Sequence, residues 1–365
     1  MRVLILSANT GGGHNSTARA VAEQLEKLNI ECEIADTLAF ISEKVSDFIS
    51  WGHSYVYRKM PRLFGFGYRY EEKHPPRFIY EQCAKGVDSL YQKLQQDSFD
   101  AVVCVHVFSG MMMTEVRRRY GSTLPAFFIA TDYTCSPGVS ELAMDAYFIP
   151  HRMLLGEFVR SGVSADKLYA TGIPVCGDFY QECSKPEVRQ ALSLPVDGNV
   201  VLLSCGSMGC GKLEKSAMML FRQLSIDTTL VVLCGRNEKT YEMLAPFESS
   251  RFRVLHFTDA VAMYMSAADI YITKPGGLST TEAIARRLPM LLIDAVPGLE
   301  TRNFDFLIQN GVAMGAKNWR QAGQTVAKAL NHPDMVLGQI EAMKTFHPSS
   351  AAEQICKHIV SSIQQ

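Results

Sequence analysis

The chain is 365 residues long, 47% hydrophobic and 20% charged, with a formal net charge of -1. That length exceeds one ordinary α/β domain and suits two domains of comparable size, each burying its own core. A charge so close to zero argues against a general nucleic-acid binder, and a near-average composition excludes a disordered or fibrous chain.

Ten cysteines occur without a CxxC pair, several inside apolar runs such as Val102-Val103-Cys104-Val105. They are expected as reduced core residues rather than a disulfide or zinc framework. The run 101–113 is interrupted by His106 and Ser109 and is too short to span a bilayer, so no transmembrane helix is expected. Met1-Arg2-Val3-Leu4-Ile5-Leu6 reads as a first β-strand, because glycines and His14 follow before the apolar core of a signal peptide is complete.

In chain order, strands are expected at residues 3–7, 33–35, 101–105, 126–130, 200–205, 230–234, 253–256, 270–273 and 290–293. Apolar strands alternating with amphipathic helical patterns read as βαβ units in parallel sheets covered on both faces, an α/β fold. Both halves open alike: residues 3–7 run into Gly11-Gly12-Gly13, and residues 201–204 run into Gly206, Gly209 and Gly211. Two doubly wound domains facing a cleft are therefore expected, over 1–175 and 185–345. The linker signature is Gly172-Ile173-Pro174-Val175, then Lys185-Pro186 and the turn-like stretch 194–199. Residues 346–365 carry helical spacing at Ala352, Ile355, Ile359 and Ile363, which suits a helix folding back onto the first domain.

Gly11-Gly12-Gly13-His14 directly follows the first strand, and a helix is expected over 15–28 with Ala18, Val21, Ala22, Leu25 and Leu28 on one face. Glycines let a backbone approach a ligand, and the helix start offers N–H groups to an anion. His14 is either a reacting group at the cleft mouth or a helix-capping residue. The loop from Gly206 and Ser207 to Lys212 has P-loop spacing, but Leu213 stands where Ser or Thr would hold magnesium, so it reads as a second doubly wound turn.

The segment Lys274-Pro275-Gly276-Gly277-Leu278-Ser279-Thr280-Thr281-Glu282 follows a strand and starts a helix. Such a turn suits a diphosphate on the helix N-terminus, with Ser279 and Thr280 as hydroxyl donors and Glu282 either accepting from ribose hydroxyls or standing as a solvated first-turn acid. After the next strand, Val296-Pro297-Gly298-Leu299-Glu300-Thr301-Arg302-Asn303 lies where open α/β sheets bind ligands. Glu300 suits sugar hydroxyls; Asn303 suits the same role or, more conservatively, a helix cap. No Asp-X-Asp motif occurs, so no metal is implied.

Residues 40–78 are rich in aromatics, among them Trp51 and Phe64, interleaved with cations that include Arg58, Lys59 and Arg62. The pattern fits an interfacial segment facing anionic headgroups, or a helix core with a charged face.

Together, Ser7-Ala8-Asn9-Thr10-Gly11-Gly12-Gly13-His14, Ala130-Thr131-Asp132-Tyr133, Thr171-Gly172-Ile173-Pro174-Val175, Lys274-Pro275-Gly276-Gly277 with Thr280 and Glu282, and Pro297-Gly298-Leu299-Glu300 with Asn303 carry a resemblance across most of the chain. The sequence resembles the monogalactosyldiacylglycerol synthases and processive diacylglycerol glucosyltransferases, and more distantly the lipid-II-forming N-acetylglucosaminyltransferase. The resemblance implies a GT-B architecture, an N-terminal acceptor domain, a C-terminal donor domain and inverting transfer from a UDP-sugar to a diacylglycerol-type lipid. It implies no cofactor beyond the sugar donor, no nucleic-acid partner, and a cytoplasmic protein attached peripherally to an anionic membrane surface. His14 becomes the base or a key polar group, Asp132 its partner or alternative, Glu282 the ribose contact and Glu300 a donor-sugar contact. Rival readings are transfer of N-acetylglucosamine to a prenyl-linked peptidoglycan precursor, a non-catalytic nucleotide-sugar sensor, and a sugar-nucleotide epimerase of similar architecture.

Overall fold

In the computed structural model the chain is described over residues 1–9, 12–42, 44, 52, 60–71, 77–206, 213–347 and 349–364, the side chains of 61, 62, 64, 69, 71 and 77–79 excepted. The first sheet comprises β1 (Arg2–Ser7), β2 (Glu31–Asp36), β3 (Ala101–Cys104), β4 (Ala126–Ile129), β5 (Ala146–Phe148) and β6 (Leu168–Tyr169). Its order is β2-β1-β3-β4-β5-β6, every pair parallel. The second comprises β7 (Asn199–Ser204), β8 (Thr228–Leu233), β9 (Phe252–Leu255), β10 (Ile270–Thr273), β11 (Met290–Leu292) and β12 (Met314–Gly315). Its order is β12-β11-β10-β7-β8-β9, again all parallel. Strands covered by helices on both faces have no solvent side, which is why β3, β4, β8 and β10 are buried at every residue.

The chain divides into two compact units: Met1–Cys176 with Val296–Leu299 and Ser349–Gln365, and Gly177–Ala295 with Glu300–Pro348. In the first, Val3, Ile5, Val103 and Ile129 pack with Ala18, Val21 and Leu25 of the helix Gly12–Lys27 and with Ala351, Ile355 and Ile359 of the helix Ala351–Ile363. Cys356 Sγ lies 3.7 Å from the Val21 carbonyl, so the last helix completes a core begun by the first.

Some expected details change. The first helix begins at Gly12, so Gly12 and Gly13 form its first turn, and it ends at Lys27, leaving Leu28 exposed in the turn beyond. Strands β5, β6 and β12 were not among those expected; β6 and β12 are two residues long, too few for a periodic signal. Lys185-Pro186 is no linker turn; it opens the helix Lys185–Ala191, with proline in the first turn where no N–H is needed. Arg189 on that helix, 4% exposed, donates to the carbonyls of Ala267, Val196 and Gly198 and pairs with Asp269 at 2.7 Å. Asp269 also accepts from the Val200 amide and Lys185. These bonds fasten residues 185–200 to the second unit. Among the described residues no helix is long and apolar enough to cross a membrane.

Candidate functional site

In each sheet the chain reverses its direction of travel beside the first strand of that unit: between β1 and β3 in one, between β7 and β10 in the other. Loops leaving the C-terminal ends of such strand pairs diverge and open a crevice, where α/β sheets bind ligands. Of the sequence-expected residues, His14 follows β1, and Gly206 and Pro275 to Gly277 follow β7 and β10; Asp132 follows β4, and Glu300 and Asn303 follow β11.

In the first unit, His14 sits half-buried in the first turn after β1, with Nδ1 3.0 Å from the Val105 carbonyl just beyond β3. A carbonyl only accepts, so Nδ1 carries the proton and Nε2 is the basic nitrogen of the ring. The Thr131 hydroxyl, past the end of β4, lies 3.2 Å from the same Nδ1. The His106 ring meets that of His14 edge-on at 4.5 Å, while its own Nδ1 accepts from the Phe108 amide and caps the helix Val107–Tyr120. Asp132, half-buried, follows Thr131, and its carbonyl accepts from the Thr134 amide at 2.7 Å.

The approach to His14 is braced by a chain of side-chain bonds. Ser7 donates to Asn15 at 2.6 Å, Asn15 to Asn9 at 2.8 Å and Asn9 to Asp36 at 3.0 Å. Beneath it, Thr37 donates to the Ser7 carbonyl and meets Ser109 at 2.6 Å in a buried contact. These bonds fix the start of the first helix from β2 as well as β1.

In the second unit, Ser204 pairs with Thr273, so Gly206 and Pro275 each stand two residues beyond paired strand ends. Gly206 has φ +80°, a left-handed conformation that other residues enter at a cost. The helix Gly277–Ala285 starts from Gly276 with no side-chain cap. Its first intrahelical bond runs from the Thr280 amide to the Gly276 carbonyl, so the amides of Gly277, Leu278 and Ser279 are the helix's orphan donors. Among the described residues, a Cβ built on Gly276 would meet no atom within 4 Å, so the turn is open on that side.

Around that turn several side chains brace the backbone. Thr280 is fully buried and its hydroxyl donates to the Gly276 and Gly277 carbonyls at 2.8 and 3.0 Å, so the expected direct hydroxyl contact becomes a backbone brace. Thr281 does the same to Gly277. Asn303 lies in the interior of the helix Leu299–Gln309, not at its cap; wholly buried, it donates to the Pro275 carbonyl at 2.9 Å. Ser279 and Glu282 are half-buried on the helix behind the turn. Glu300, 6% exposed, occupies the first turn of its helix, where the positive end of the dipole favours a carboxylate.

Gly11, Ser207, Trp51, Arg58 and Lys59 lie outside the described residues, as do the side chains of Arg62 and Phe64 on the helix Pro61–Glu71. Sequence reasoning passed over His106, Asn15, Asp36 and Glu157. Asp36 closes β2 and His106 directly follows Val105 beyond β3, and a rule collecting the polar residues at strand C-termini finds both. Glu157 sits on a helix more than twenty residues further along the chain and had no such signal.

Residues 14–175 match the family model of monogalactosyldiacylglycerol (MGDG) synthase, and residues 200–355 the glycosyltransferase family 28 C-terminal domain. The curated relatives include proteins of Bacillus licheniformis (26% identical over 98% of this chain and 94% of the relative) and Bacillus subtilis (25%, the same coverage). Both are named processive diacylglycerol beta-glucosyltransferase. Among solved structures, Acinetobacter baumannii MurG superposes with a TM-score of 0.64 at 17% identity, covering 100% of this chain and 99% of that one. The S. aureus MnaA-UDP co-structure gives 0.64 at 13% identity, covering 100% and 97%. Two parallel doubly wound sheets with these matches define a glycosyltransferase of GT-B fold. Within that class, the first half of the chain matches the monogalactosyldiacylglycerol synthase model and the second the glycosyltransferase family 28 C-terminal domain, and the whole chain is similar to the processive diacylglycerol glucosyltransferases.

Proposed function

We propose that this protein transfers a hexose, with inversion, from a UDP-sugar to the hydroxyl of a diacylglycerol-type lipid at an anionic membrane surface, on the cytoplasmic side. The observation that carries the reading is the uncapped start of the helix Gly277–Ala285: three orphan amides in a turn open on the Gly276 side, held by Thr280, Thr281 and Asn303. Fixed N–H dipoles of this kind suit the diphosphate of the donor and the negative charge that grows on it as the glycosidic bond breaks. Glu282 accepts from the ribose hydroxyls and Glu300 from the sugar. The acceptor class follows from the activity named for the Bacillus relatives.

In this reading the acceptor hydroxyl gives its proton to His14 Nε2, whose basic tautomer the Val105 carbonyl enforces. Its oxygen bonds the anomeric carbon from the face opposite the leaving group, and the electron pair of the broken bond departs on UDP. General-base help of this kind contributes about 100-fold or more, and Asp132 shapes the same corner. The orphan amides stand in for a cation at the diphosphate, so turnover survives EDTA. Incubating the protein with several UDP-sugars and diacylglycerol vesicles, with and without EDTA, and weighing the lipid product tests the reading. A glycosylated lipid is the expected result; hydrolysis or epimerisation of the donor alone overturns it.

A further inference from the structure

We infer that Glu157 is a positioning residue for the His14 corner, holding the Thr131–Cys135 loop from the neighbouring helix. The inference rests on the acceptor-side role proposed for His14 and Asp132. Glu157 lies on the helix Leu155–Arg160, more than twenty positions along the chain, and one carboxylate oxygen, Oε1, accepts twice from the loop. The Thr134 hydroxyl donates at 2.5 Å and the Cys135 amide at 2.8 Å. Thr134 is 2% exposed and Tyr133 1%, so the loop's centre is packed as well as bonded.

The geometry dictates what this anchor controls. The Thr134 amide turns back to the Asp132 carbonyl at 2.7 Å, so fixing Thr134 fixes the backbone of Asp132. One residue earlier, Thr131 places its hydroxyl 3.2 Å from His14 Nδ1. A continuous path therefore runs from Glu157 through Thr134 and Asp132 to the imidazole. Hydrogen bonds to a carboxylate are shorter and about twice as strong as neutral ones, which suits a single atom restraining a loop after a strand end. Glu157 touches no reacting atom in this arrangement; it acts through the loop.

The test compares Glu157→Ala and Glu157→Gln with wild type. Glutamine keeps a carbonyl oxygen able to accept both bonds; alanine keeps none. Glu157→Ala is expected to lower kcat about tenfold to 100-fold, the scale of a misplaced catalytic group, with KM for the UDP-sugar unchanged and the acidic limb of the kcat profile displaced. Glu157→Gln is expected to recover most of that loss. Amide hydrogen exchange supplies a readout independent of turnover: the Cys135 amide exchanges faster in Glu157→Ala and near the wild-type rate in Glu157→Gln.

Wild-type kcat, pH profile and Cys135 exchange in a folded Glu157→Ala protein overturn the inference. So does a loss that merely tracks the folded fraction, with the pH profile unmoved. If wild type transfers no sugar, the functional reading fails, while the exchange of Cys135 still decides whether Glu157 holds the loop.

Discussion

The side-chain amide of Asn303 donates to the carbonyl of Pro275 across 2.9 Å, with Asn303 wholly buried. Residues 28 apart in sequence are thereby locked together, tying the helix that carries Glu300 to the turn that presents the orphan amides. Asn303→Ala leaves a buried carbonyl without this donor, at a cost of about 1–3 kcal/mol. Urea denaturation is expected to show that loss, and calorimetry a weaker UDP affinity. Unchanged stability and affinity would show that the turn holds its shape unaided.

Glu282→Ala tests the other end of the same turn. If Glu282 holds the ribose as proposed, its loss weakens UDP binding by about 1.5–3 kcal/mol, as for hydrogen bonds to a charged group. Thermal stability changes little, because Glu282 is half-buried and not part of the core. Calorimetric titration giving wild-type UDP affinity in the folded variant removes Glu282 from the donor site.

The expected strand runs found nine of the twelve strands among the described residues, most of them apolar stretches; β2, which alternates acidic and apolar residues, is the exception. The similar openings of the two halves correspond to β1 and β7, the central strands beside which each sheet reverses. What the sequence left illegible was contact across the chain. Nothing local to Asn303 distinguishes a helix cap from a brace on Pro275, and nothing local to Thr280 says that its hydroxyl turns onto its own backbone. Glu157 was invisible because its meaning depends on a loop more than twenty residues earlier. Conversely, the turn Lys274–Gly277 was legible because proline, paired glycines and hydroxyl residues after a strand have few other uses.

A pH effect on stability follows from His358. Its ring lies 4.1 Å from that of Tyr169 and 5.3 Å from that of Phe148, and burial holds its pKa below the ordinary histidine value. The unfolded chain therefore binds this proton more readily than the folded one. The stabilisation is complete above about pH 6.5 and declines as the pH falls below it. The melting temperature is expected to drop on acidification, and His358→Phe to lessen the drop by keeping a ring in the cluster without a titrating nitrogen. His151, lowered by burial and by Arg152, adds a change of the same sign, so the measurement is the difference between variant and wild type across the range. Parallel melting curves for the two proteins would take His358 out of the acid response.

The helix Pro61–Glu71 bears on the proposed membrane surface. Leu63, Phe66 and Tyr70 are 50%, 64% and 57% exposed, and spacings of three and four residues put them on one side of the helix. Tyr68 and Gly65 are buried. An apolar stripe with Arg58 and Lys59 just before it in sequence combines burial in acyl chains with attraction to anionic headgroups, and the two contributions respond differently to salt. Replacing Leu63 and Phe66 by Ser is expected to weaken binding to neutral and anionic vesicles alike, with little salt dependence, because apolar burial is not screened. Replacing Arg58, Lys59 and Arg62 by Ser is expected to weaken binding to anionic vesicles by about 1 kcal/mol per charge, a loss that high salt reproduces in wild type. UDP affinity in solution stays the same in both variants, since neither set belongs to the donor turn. Co-sedimentation with vesicles of each composition, at low and high salt, reads both effects together. If both folded variants sediment like wild type, the exposed stripe does not meet the bilayer, and the lipid acceptor reaches the protein by another face.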